Sequence, residues 1–146
     1  MRIPLERAVA LSLVLALHGC GDDTSFSPTV ENVAGTYSAT VFTLTLAVTT
    51  VDQLVLGSEV ELTLAPDGTA TGRLFMPGGG EGGGDLDVAL TGTWTLSGGA
   101  VTFDQAPDTI IRDVRFEADH NRLIGHQTFG HNIMDLVLTK IERAAP

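Results

Sequence analysis

The side chains of this 146-residue chain that could do chemistry are four histidines, one cysteine and 18 carboxylates. His120, His126 and His131 raise metal binding, but an extended strand offers neighbouring ligands at i and i+2, and no histidine pair has that spacing. His120 and His131 lie 11 residues apart, ~35 Å if extended, so they are not expected to share one ion. No serine stands in a Gly-x-Ser-x-Gly turn. Most carboxylates, Asp85 and Asp87 among them, alternate with apolar residues and read as solubilising charge on a wet face. The glycine-rich stretch 77–84, PGGGEGGG, resembles a phosphate cradle only in composition. A cradle needs a helix N-terminus and a lysine or hydroxyl after the glycines, whereas Asp85-Leu86-Asp87-Val88 opens a strand. It also lacks the repeated register of calcium-binding nonapeptides. A flexible hairpin loop is the expectation, with a lid over a barrel mouth as its functional variant. No metal, cofactor, catalytic residue or enzymatic activity is expected.

Cys20 is the remaining reactive group. Arg2 and Arg7 precede an apolar run over 8–17, too short to span a bilayer and of signal-peptide proportions. The run ends in Leu17-His18-Gly19-Cys20. This stretch resembles the bacterial lipoprotein signal, in which a small residue precedes a cysteine that is acylated and becomes the new N-terminus. His18 stands where a small or hydroxyl residue is usual. The resemblance implies a signal peptide over 1–19, lipidation of Cys20 and a cell-envelope protein anchored in a membrane. Gly21 stands where aspartate favours inner-membrane retention, which points to the outer membrane.

Cleavage would leave 127 residues, about one domain, with 6 of the 8 basic and 17 of the 18 acidic side chains, a net charge of −11. Such a surface repels nucleic acid. With a single cysteine no intramolecular disulfide can form, so stability must come from an apolar core. Residues 20–32 are polar and turn-forming, and read as a lipidated flexible tether. The folded domain is expected over 33–143.

From Val33 onward apolar residues recur with period two between Gly, Asp, Asn and Pro turns, the signature of hairpin-linked antiparallel strands. Strands are predicted over 35–48, 53–65, 69–76, 85–96, 100–104, 110–118, 122–129 and 133–142. In the first, Tyr37, Ala39 and Val41 share one face while Phe42, Leu44 and Leu46 share the other, a phase slip that predicts a bulge. Eight successive strands can close on themselves and lose their exposed edges. The expected fold is all-β, an eight-stranded antiparallel up-and-down barrel, with a two-sheet β-sandwich as the alternative.

Three features make residues 33–142 resemble a small bacterial lipocalin-like protein: Gly35-Thr36-Tyr37 at the first strand, Gly92-Thr93-Trp94 in the fourth, and the eight-strand meander. Tyr37 stands where lipocalins carry tryptophan. The resemblance implies a small hydrophobic or amphipathic ligand in the barrel, and the inward positions expected to meet it are Tyr37, Leu74, Met76, Leu86, Val88, Leu90, Trp94, Phe103 and Phe116, with Leu136 and Leu138 on the last strand. An eight-stranded barrel is just wide enough to be filled by side chains or to hold one small ligand. The alternative is therefore a packed barrel that acts as an interaction or inhibitor module on another envelope protein.

Overall fold

The structure, a computed structural model, describes residues 25–105 and 109–142; the signal segment, Cys20 and Gly21 lie outside them. A helical turn, α1 (Val30–Val33), precedes β1 (Gly35–Leu46), β2 (Thr49–Asp52), β3 (Glu59–Leu64), β4 (Thr69–Met76), β5 (Leu86–Ser97), β6 (Ala100–Gln105), β7 (Phe116–Asp119), β8 (Arg122–Phe129) and β9 (Asn132–Lys140). Every pairing is antiparallel, and β1 also pairs with β9, which closes β1 and β3–β9 into an eight-stranded up-and-down barrel. The barrel expectation holds, and the two-sheet alternative falls. The strand not foreseen, β2, folds back on the far half of β1 as a ribbon beside the barrel.

The phase slip in β1 is a bulge. Its register against β9 shifts between Ala39 and Val41, so Tyr37 points inward before the bulge and Phe42 after it. The bulge makes one strand curve around the closing seam. On the outside, threonine hydroxyls pair across strands, as in Thr36–Thr63 at 3.1 Å, Thr95–Thr102 at 2.9 Å and Thr40–Thr139 at 2.8 Å. Arg73 forks onto Asp87 at 2.8 and 2.9 Å, so Asp87 is fixed in a cross-strand pair as well as solvated. Two predicted strands are shorter than the apolar pattern suggested. Residues 53–58 form a turn instead, because Asp52 Oδ1 accepts the N–H groups of Leu54 and Val55 at 2.9 and 3.4 Å. Residues 110–115 also turn, with Val114 N donating to Ile111 O, and only 116–119 pair as a strand.

The tight turns at 65–68, 98–99 and 120–121 lie at one end of the barrel, and α1 covers it. Thr29 and Asn32 form a reciprocal capping box on α1. Lys140 Nζ donates to Asn32 O at 2.8 Å, and Phe26 stacks on His120 with ring centroids 4.8 Å apart. Residues 25–32, expected to be tether, are therefore docked on the barrel rather than free of it.

Tyr37, buried beneath α1, donates its hydroxyl to Val33 O at 2.5 Å. Burial pushes its pKa from 10.0 up to about 12. A group whose pKa is raised by folding stabilises the fold fully below pH 10 and loses that contribution as pH rises towards 12. Tyr37→Phe should cost about 1 kcal/mol at neutral pH by orphaning the Val33 carbonyl. The variant should also lack the part of the alkaline loss due to Tyr37, which denaturant titrations between pH 9 and 12 would measure.

Candidate functional site

The strands bring most of the residues expected to meet a ligand into one buried cluster inside the barrel. Leu74, Leu90 and Phe116, together with Leu136 and Leu138, have 0% of their surface exposed. Tyr37, Trp94, Phe103 and Met76 are buried with them. Phe103 and Phe116 meet edge to face, centroids 5.5 Å apart. Leu86 and Val88, near the glycine-rich connection, are only half-buried, and Leu86 packs against the core. None of these residues lines the clefts beside Glu117 and Ile124 or those beside Glu59 and Glu61.

The inward list also left out Val60, Leu62 and Leu64 of β3, Leu123 of β8, and Ile111 and Val114 of the 110–115 turn. The β3 residues alternate in plain view and were legible. Ile111 and Val114 were not, because they reach the core from a turn. That connection plugs the end opposite α1, where Thr109 Oγ1 donates to Gln105 Oε1 at 3.3 Å. Gln105 Nε2, buried there, has no hydrogen-bond partner among the described residues.

Two shallow clefts lie outside the barrel on either side of Glu117 and Ile124. One, of about 380 Å³, is lined by Phe26, Asp119 and His120; the other, of about 330 Å³, by Gly98, Arg115 and His126. Each histidine meets its own carboxylate: His120 Nδ1 lies 2.8 Å from Asp119 Oδ1, and His126 Nδ1 lies 2.6 Å from Asp135 Oδ1. His120, and after it Arg122, hold the Asp119 carboxyl below its ordinary range. The pairs orient an imidazole, but among the described residues no serine, threonine, tyrosine or cysteine lines either cleft to serve as a nucleophile. Among the described residues no three His, Cys, Asp or Glu side chains could hold a metal ion, and no helix is long and apolar enough to cross a membrane.

The unusual surface is the β1–β2 ribbon. Val48 at its tip is 95% exposed, Val55 just beyond it 81%, and Leu46 and Leu56 are exposed with them. Ala47 turns the tip with φ 57°, a left-handed conformation that costs alanine about 1 kcal/mol. Residues 32–51 carry no charged side chain, in a chain of net charge −10. The uncharged run of Thr, Val and Leu was the sequence signal for this ribbon, which the single predicted strand over 35–48 and the gap after it concealed.

Comparison with family models, curated proteins and solved structures found no match to this chain. The likeness to lipocalins is therefore one of barrel architecture, with Tyr37 under the closed end and Trp94 bonding Ala65 O at 2.8 Å through its indole N–H.

Proposed function

We propose that this is a lipid-anchored cell-envelope protein whose packed barrel is a scaffold, and whose activity is to bind another envelope protein through the exposed β1–β2 ribbon. One observation carries the reading: the inward side chains are buried in one cluster, while Val48, Val55, Leu46 and Leu56 are left exposed. A barrel that carried a small ligand would need room beside Tyr37, Leu90 and Phe116, and a ribbon with no binding role gains nothing from a bare Val48. The signal-like segment supports the anchor at Cys20 and an outer-membrane address. Because residues 26–33 dock at the α1 end, an anchored barrel holds that end towards the membrane and carries the opposite connections outward. No enzymatic role is proposed, since the paired histidines lack a nucleophile.

The competing reading, a small apolar ligand inside the barrel, requires the 109–115 plug to open. The unpartnered Gln105 Nε2 beside Thr109 is the observation in its favour.

Cys20→Ser should abolish acylation and release the protein from the membrane fraction, because two or three acyl chains anchor effectively permanently and none remains. Unchanged mobility and unchanged membrane partitioning would refute the anchor. For the ribbon, a photoreactive residue at Val48 should yield one defined crosslinked protein in intact envelopes, and the same residue at exposed Thr95 should not. Equal yields from both positions would remove the ribbon from the account.

A further inference from the structure

We propose that the free edge of β2 takes up an extended strand of the partner protein, of alternating β-branched apolar and polar residues with a basic side chain in its polar row. The strand adds antiparallel to the sheet. This rests on the reading of the ribbon as the partner-binding surface.

The edge follows from hydrogen-bond alternation. Gln53 N donates to Phe42 O at 2.8 Å, and Val51 and Thr49 lie opposite Leu44 and Leu46. Antiparallel ladders bond every second pair, so residues 49, 51 and 53 turn their N–H and C=O groups towards β1, while those of Thr50 and Asp52 point away. Among the described residues β2 is the terminal strand of the nine-stranded sheet and has no neighbour on that side. Proteins ordinarily blunt such an edge with lysine, proline or a cover. This one is flanked by bare Val48 and Val55 instead.

The faces of β2 set the chemistry of the added strand. Thr50 shares the outer face with Thr45, to which it bonds at 2.8 Å, and Asp52 lies on the same face two residues on. Val51 points the other way, opposite Leu44, which packs on the core. A residue added opposite Val51 therefore extends an apolar row, and its neighbours extend a polar row that ends at a carboxylate. In a chain of net charge −10 with exposed Glu59 and Glu61 starting the next strand, the complementary charge is positive.

A second copy is the poorer occupant. Two β2 edges pairing antiparallel would place Thr50 opposite Asp52 of the other copy and turn the α1 ends in opposite directions. Chains anchored in one membrane face cannot meet that way.

The test uses the full acylated chain in detergent and a blocked peptide of alternating valine and threonine with one lysine in its threonine row, followed by amide NMR. Saturable binding should slow hydrogen exchange at Thr50 and Asp52 at least tenfold, and the same peptide with glutamate for lysine should bind at least fivefold more weakly. Thr50→Pro removes an outward N–H and the exposed Thr45–Thr50 hydroxyl bond but leaves the β1–β2 backbone bonds intact, so binding should fall at least tenfold with little change in melting temperature. Asp52→Asn keeps the Oδ1 that accepts from Leu54 and Val55 but removes the charge, so it should abolish the preference between the two peptides, which keeps the proposal open to refutation if the proline variant folds poorly. No protection at Thr50 and Asp52 at millimolar peptide, or binding indifferent to both variants, overturns strand addition. Protection of the same amides with rising protein concentration and no peptide would make a second copy the occupant and overturn it equally. If strand addition fails while Val48 still crosslinks one defined protein, the partner reading stands; if that crosslink is absent, the partner reading falls too.

Discussion

Replacing Phe116 by alanine should cost about 3–5 kcal/mol, the range for deleting a buried aromatic ring from a core that cannot collapse onto the gap. Phe116 has no exposed surface and meets Phe103 edge to face at 5.5 Å. It also fills the space over Gly125, where a methyl group would fall 2.7 Å from its ring. The strands around it are bonded to neighbours on both sides, so backbone closure over the void would break ladder bonds elsewhere. On the packed-barrel reading proposed above, the variant should gain what the native protein lacks: a dry cavity that binds a benzene-sized molecule. Denaturant unfolding with and without such a probe checks both parts. A native barrel stabilised by the probe as much as the variant would show that the interior already has room.

Gly92→Ala should be damaging out of proportion to its single added methyl group. A Cβ at Gly92 would lie 2.0 Å from Asp104 O and 2.8 Å from Gln105 Cα, both backbone atoms of the adjoining β6. Backbone cannot swing aside as a side chain can, so the β5–β6 seam must part or shift, at a cost of about 3 kcal/mol. Gly72 is in the same position against Glu61 O at 2.1 Å on the β3–β4 seam. These two inward glycines let neighbouring strands coil tightly enough to close a barrel of eight. The outward exchange Thr93→Ala is the control and should be nearly neutral. Equal effects of Gly92→Ala and Thr93→Ala on the unfolding midpoint would contradict this account of closure.

Those glycines also show what the sequence disclosed and what it withheld. Gly92-Thr93-Trp94 was legible as a motif, and the structure gives it two separate jobs: the glycine permits close strand approach, and the tryptophan closes an end by bonding Ala65 O. The strands over 69–76 and 122–129 were readable to the residue because each is bounded by turn residues and alternates cleanly. The bulge in β1 was readable because a change of apolar phase has few other causes. Residues 53–58 and 110–115 misled because their apolar residues mimic a strand, while their backbone bonds are local. Asp52 caps the first segment, and Ile111 and Val114 plug the barrel from the second. The inward face was readable from alternation. Whether it would enclose space was not, since that depends on residues such as Ile111 that period two does not place there.

The most direct test of the central claim, a full barrel that works through its surface, is the native mass spectrum of the protein released gently from its membrane. The expected species is the chain beginning at Cys20 with its covalent acyl mass and no other small molecule. A further adduct that leaves on denaturation, without any covalent bond breaking, would contradict the packed interior and restore the barrel as a carrier.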